Sequence, residues 1–192
     1  MSVFKVAIVG HSQVPPQLDG VSPQVEVTIF RSPGAKARSF FANPQLAAVL
    51  EGRWDMVILW LGSNDITNRC QVADIVQDLK NIVLQLEERC TPKVKVCLVE
   101  PRHTEVRWRP RVEQESYNKV AKAINNKLQK RALKGRTFIS FGAKPFWYSL
   151  RADGVHFDRE GRERVKDKLR SAIGYAHLFQ PEEHWGYSQS TE

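Results

Sequence analysis

The tightest constraint on the fold is the run Val6-Ala7-Ile8-Val9, which is apolar without a break and stops at Gly10. A strand with one face in water alternates in polarity. A strand covered on both faces does not, and such strands belong to parallel sheets flanked by helices. Met56 to Leu61 is a second run of this kind. Val25 to Phe30 alternates toward a strand, Val94 to Val99 reads as another, and Thr137 to Ser140 as a short fifth.

Helical signals fill the gaps between these strands. Asn43-Pro44 is an N-cap followed by proline at the first helical position, and Gly52 closes that helix. Val72, Ile75, Val76, Leu79, Ile82, Val83 and Leu86 recur at three- and four-residue spacing, the apolar stripe of a surface helix. A further helix is expected from about Arg111 to Leu133, with Tyr117, Val120, Ile124 and Leu128 inward and Gly135 at its end. The last, Arg159 to Ile173, buries Val165, Leu169 and Ile173. After the first strand, Pro15 and Pro16 exclude a long regular helix. Strands alternating with helices predict an α/β fold with a parallel sheet, right-handed crossovers and helices on both faces. Residues 1–175 read as one domain and 176–192 as a tail.

A length of 192 residues with 42% hydrophobic content suits one domain with a sizeable core. There is no apolar run of bilayer-crossing length. The amino terminus lacks the features of a secretory signal, since Lys5 interrupts its apolar run and no small-residue cleavage site follows. Cys70, Cys90 and Cys97 are an odd number without a C-x-x-C pair, which fits reduced thiols in a cytoplasmic or nuclear protein. The net charge of +8 implies attraction to an anionic partner, RNA or phospholipid headgroups. Three stretches carry much of it: Arg102, Arg107, Arg109 and Arg111 around Trp108, a lysine-rich face between Lys119 and Lys134, and Arg159 to Arg170. The arginine loop is the candidate anion-binding element. Acidic residues interspersed in the third stretch fit an ordinary solvated face equally well.

The loops after the strands hold the residue types that acyl transfer uses. Ser12 follows the first strand, and its hydroxyl is inert at neutral pH without a base. Gly34 follows the second, where a backbone N–H could approach an oxyanion closely. Asn64 follows the third and could donate its amide to the same oxyanion. Asp153-Gly154-Val155-His156 follows the fifth, offering a base in His156 and an orienting carboxylate in Asp153. Asn64 and Asp65 equally fit caps of the following helical segment, and an isolated histidine is more often structural than basic. A metal site from His11, Asp65, Asp153 and His156 has no close ligand pair to support it, and no cofactor is expected.

In these four blocks the chain resembles the SGNH hydrolases, the GDSL-like lipase/acylhydrolase family. Gly10-His11-Ser12 matches the first block, Gly34 the second, Gly62-Ser63-Asn64-Asp65 the third and Asp153-x-x-His156 the last. The resemblance spans about Val3 to Ile173. It implies a flavodoxin-like three-layer α/β/α sandwich with five parallel strands in the order 2-1-3-4-5, and ester hydrolysis without metal. Ser12 would be nucleophile, His156 base and Asp153 orienter, with the Ser12 and Gly34 N–H groups and Asn64 as oxyanion hole. The family's usual first block has Asp before the serine where this chain has His11, a change read as tuning rather than inactivation. A narrower likeness is to the esterase domains in the first open reading frame of some LINE-type retrotransposons, carried by Pro33-Gly34-Ala35, Tyr117-Asn118 and the 153–157 block. The substrates implied are small acyl esters, acetyl among them, or lipid esters. The competing expectation is a catalytically silent module of the same fold that binds RNA or anionic membrane through its basic surface.

Overall fold

The structure, a computed structural model, describes residues 2–102, 114–142, 150–151, 153 and 155–178. The expected sheet forms. Strands β1 (Phe4–Gly10), β2 (Val25–Arg31), β3 (Met56–Trp60), β4 (Val94–Cys97) and β5 (Thr137–Ile139) pair in the order β2-β1-β3-β4-β5. All the pairings are parallel. The helices are α1 (Pro44–Ala47), α2 (Ser63–Thr67), α3 (Val72–Arg89), α4 (Gln114–Lys127) and α5 (Arg159–Leu178).

Alternation along β1 divides the core. Ala7 and Val9 join Val57, Leu59 and Val96 under α1, α3 and α4. Val6 and Ile8 join Met56, Ile58 and Trp60 on the other face, under α5 and the Val14 to Leu18 segment. Both faces of β1 and β3 are thereby dry, which is why these two strands carry apolar runs instead of alternation. On α3, Ile75, Leu79, Ile82, Val83 and Leu86 are buried. At roughly 1.5–3 kcal/mol for each fully buried side chain, this stripe outweighs the few tenths that helix propensity contributes per residue.

Local chemistry fixes the remaining elements. The Asn43 side chain accepts from the N–H groups of Gln45 and Leu46 and so caps α1, which tightens into a 3-10 turn at Ala48–Glu51 before Gly52. Pro15 and Pro16 lie in a stretch of turns, not a helix. β4 stops at Cys97, two residues earlier than expected, because Val99 leaves the ladder for a side chain. The Asn125 amide accepts from Val99 N–H at 2.9 Å and donates to its carbonyl at 2.9 Å. In α4 the buried position after Tyr117 is Ala121, with Val120 only half-buried. The start expected near Arg111 lies outside the described residues.

The final helix needs a correction. Expected to end near Ile173, α5 runs through Gly174 to Leu178, so 176–178 belong to the helix and not to the tail. Ala176 is buried, and the His177 ring lies 5.5 Å from that of Phe4. Lys95, buried on β4, donates from Nζ to the Ala172 carbonyl at 2.9 Å and ties the helix to the sheet. These contacts outweigh the cost of about 1 kcal/mol for a glycine in mid-helix.

Gly10 ends β1 where no side chain fits. A Cβ there would meet the Trp60 carbonyl oxygen at 2.2 Å and Val14 Cγ2 at 2.8 Å. Gly10→Ala should therefore cost about 3 kcal/mol or more in urea unfolding, the upper range for overpacking, since backbone cannot rotate out of the way. A loss under 1 kcal/mol would show that β1 can shift against β3.

Candidate active site

Gly10 pairs with Arg31 on one side and Trp60 on the other, so three strands end level. The loops after them carry Ser12, Gly34 and Asn64 to one edge of the sheet. Ser12 lies inside the turn in which Val14 N–H bonds the His11 carbonyl at 3.1 Å. Its Oγ lies 3.2 Å from His156 Nε2, and His156 Nδ1 lies 2.8 Å from Asp153 Oδ2. The other carboxylate oxygen of Asp153 accepts from the backbone N–H groups of Val155 and His156, each at 2.9 Å. Burial alone would push the Asp153 carboxyl up. The hydrogen bonds from the His156 ring and from the His156 and Val155 N–H groups outweigh that and hold it below the ordinary carboxylate value. Asp153 is therefore an anion that only accepts, which places the His156 proton on Nδ1 and turns the Nε2 lone pair toward Ser12.

The second and third loops are laced together. Asn64 donates one amide hydrogen to the Ala35 carbonyl at 2.9 Å, leaving a second N–H on the same nitrogen. The Asp65 carboxylate, fully buried, accepts from Ala37 N–H at 2.8 Å and Arg38 N–H at 3.3 Å. Gly34 takes φ +76°, a left-handed conformation that suits glycine, and the space where its Cβ would sit is empty within 4 Å. Among the described residues neither Ser12 N–H nor Gly34 N–H has an acceptor. Asn64 and Asp65 do lie in the first turn of α2, yet both side chains turn to the Gly34 loop instead of capping their own helix.

Two residues that sequence reasoning passed over hold the loops in place. Gln13 donates from Nε2 to the Val155 carbonyl and accepts from Phe157 N–H at 3.5 Å, joining the serine loop to the histidine loop. Arg31 donates to the Val14 carbonyl at 2.8 Å and the Ser12 carbonyl at 3.0 Å. No local pattern announces either residue, because their partners lie on other loops. Beside Ser12 and His156 opens a cleft of about 320 Å³, with Pro15, Pro16 and Phe157 among its walls.

His11 sits behind the serine, 1% exposed, with Gln13 N–H at 3.3 Å from Nδ1 and Ser63 Oγ at 3.3 Å from Nε2. Glu100 Oε1 is 3.8 Å from Nε2, and Trp60 Nε1 donates to Glu100 Oε2 at 3.0 Å. An aspartate at position 11 would face this carboxylate, whereas a histidine complements it. Of the expected anion-binding arginines, Arg102 is half-buried with its guanidinium 4.1 Å from the centre of the Tyr117 ring. Arg107, Arg109 and Arg111 lie outside the described residues. Among the described residues no group of three His, Cys, Asp or Glu side chains is placed to hold a metal, and no helix is long and apolar enough to cross a membrane.

A parallel five-stranded sheet with a serine, a histidine and an aspartate in hydrogen-bonded series at its carboxyl edge defines a hydrolase architecture, and the chain belongs to the GDSL-like lipase/acylhydrolase family, whose model matches residues 9–164. The lipase/acylhydrolase from Enterococcus faecalis is similar in structure, with a TM-score of 0.70, 19% identity, and coverage of 94% of this chain and 100% of that one. So is Est24, a carbohydrate acetylesterase from Sinorhizobium meliloti, with a TM-score of 0.67, 14% identity, and coverage of 90% and 99%. The aryl esterase of M. smegmatis gives 0.66 and 16% over 91% of this chain and 100% of its own. At these identities the likeness speaks to the fold. No curated protein matches the chain in sequence.

The buried histidine gives the site a pH signature. Burial lowers the His11 pKa below 6.5, opposed by Glu100 and reinforced by His156, Arg102 and Arg31. As pH falls through 6.5 the unfolded chain takes up a proton that the folded chain resists, so stability is full above that value and declines below it. The unfolding free energy of wild type minus that of His11→Gln should be flat above about pH 7 and fall by up to about 1.4 kcal/mol per unit below 6.5. A difference that stays flat to pH 5 would mean that His11 is protonated within the fold.

Proposed function

We propose that the chain is a serine esterase for small acyl esters, acetyl among them, with Ser12 as nucleophile, His156 as general base and Asp153 as its orienter. The observation that carries this reading is the unbroken series of contacts from Ser12 Oγ through both ring nitrogens of His156 to the Asp153 carboxylate.

In this mechanism Ser12 Oγ attacks the ester carbonyl carbon while His156 Nε2 takes the hydroxyl proton. The oxyanion of the tetrahedral intermediate accepts from the Ser12 and Gly34 N–H groups and the second N–H of Asn64. Protonated His156 then gives its proton to the departing alkoxide, leaving an acyl ester on Ser12. Water, deprotonated by the same ring, attacks that ester and releases the carboxylic acid, restoring the serine. Asp153 stabilises the imidazolium at each stage. A cleft of about 320 Å³ suits a compact substrate better than a long acyl chain. The retrotransposon-type likeness belongs to the same proposal. Two residues that carry it, Tyr117 and Asn118, hold the segment after β4, through Tyr117 Oη on the Glu100 carbonyl and the Asn118 amide on the Arg102 backbone.

Wild type should turn over p-nitrophenyl acetate. Ser12→Ala and His156→Ala should each lose on the order of 10⁴-fold or more in kcat, with nearly equal effects because the members act as a unit. Asn64→Ala should lose on the order of 10²-fold. A wild type that hydrolyses no short ester would favour the silent binding module instead, and a Ser12→Ala protein that retains turnover would contradict Ser12 as the nucleophile.

A further inference from the structure

The cleft beside Ser12 and His156 has a charge that the esterase chemistry does not require. Among the described residues its walls include three arginines, Arg31, Arg151 and Arg162, and no aspartate or glutamate. Neutral ester hydrolysis needs no cation there. The only full charge that the mechanism develops outside the oxyanion hole is on His156, and Asp153 already answers it.

Each arginine is held in a different way. Arg31 is fixed by its bonds to the Val14 and Ser12 carbonyls, which leave other N–H groups of its guanidinium uncommitted. Arg151 is anchored through its backbone, whose N–H bonds the His156 carbonyl at 2.7 Å, so its side chain leaves from the histidine loop itself. Arg162 stands at the start of α5, where the helix dipole disfavours a cation.

Arg162 also differs from three other cations of that helix. Arg164 pairs with Glu160, Lys166 with Glu163 at 3.1 Å, and Arg170 with Asp167 at 2.7 Å. Arg162 has Asp158 four residues before it, but that carboxylate caps Gly161 N–H at 2.8 Å instead. Among the described residues neither Arg162 nor Arg151 has an acidic partner. The cations of α5 that face away from the cleft include paired ones, whereas the one that faces the cleft is left open.

We propose that this cleft selects esters bearing a negatively charged group, a carboxylate or a phosphate, beside the scissile bond, with Arg151 and Arg162 as the guanidinium donors and Arg31 as a fixed positive wall. The inference rests on the esterase reading above and names its substrate class. Guanidinium forks match the paired oxygens of either anion. Because the cleft is open to solvent, the selectivity is expected to be about ten- to hundredfold and to shrink as salt rises.

The test compares matched esters: 4-acetoxybenzoate and 4-acetoxyphenyl phosphate against methyl 4-acetoxybenzoate for charge on the leaving group, and mono(4-nitrophenyl) succinate against 4-nitrophenyl butyrate for charge on the acyl group. In at least one series wild type should prefer the anionic ester by tenfold or more in kcat/KM at low salt. The ratio should drop at least fivefold in Arg162→Gln or Arg151→Gln. The phosphate and carboxylate arms tell which anion fits better, and either supports the inference. Ratios near one in both series, or ratios unmoved by both substitutions, would overturn it while leaving the esterase reading intact. Should no ester be hydrolysed, titration of the Ser12→Ala protein with phenyl phosphate decides the point separately. Binding weakened at least fivefold by Arg162→Gln supports the anion site, and no binding, or unaltered binding, refutes it.

Discussion

The close approach of Gly10 to the Trp60 carbonyl is the contact on which the site depends. β1 has a partner on each side, and its last residue stands level with the ends of β2 and β3. Loops that leave parallel strands at one level start from the same edge, so Ser12, Gly34 and Asn64 are carried to one edge of the sheet without being neighbours in sequence. A side chain at position 10 would push β1 off β3 and misalign all three.

Strand ends alone leave loops free to wander, and here polar side chains hold them. Arg31 grips the carbonyls of the serine loop, Gln13 crosses to the histidine loop, and Asn64 with Asp65 grips the loop of Gly34. Each tie satisfies a backbone group that the sheet no longer can, so the residues flanking Ser12 hold the loops in place. Buried His11 extends this scheme beneath the serine, where it bridges Ser63 and the Glu100 carboxylate.

Much of the fold was legible because its signals are local and repeated. Uninterrupted runs mark strands covered on both faces, and the stripe of Val72 to Leu86 marks α3. The order β2-β1-β3-β4-β5 followed from family resemblance and not from any single run. Element ends were less legible, since they are decided across the fold: Asn125 takes Val99 out of β4, and Lys95 and Phe4 keep α5 helical past Gly174. Ser12, Gly34, Asn64, Asp153 and His156 could be picked out as acyl-transfer residue types. The roles of Gln13, Arg31 and Asp65 could not, because a hydrogen bond to a distant carbonyl or N–H leaves no trace in spacing. Arg162 was visible only as one of a basic group on a helix, and its open side toward the cleft is a property of the surface.

The His156 and Asp153 side chains are each 42% exposed, so the catalytic series proposed for this chain operates at the surface. Reagents can therefore reach Ser12 without prior opening of the fold. Reaction of the wild type with a fluorophosphonate, followed by mass spectrometry of the peptide containing residue 12, tests the proposed nucleophile most directly. A single adduct on Ser12, formed on the order of 10³-fold faster than in His156→Ala, is the result expected of a serine activated by that histidine. Modification elsewhere, or a rate on Ser12 unchanged by loss of the His156 ring, would contradict it.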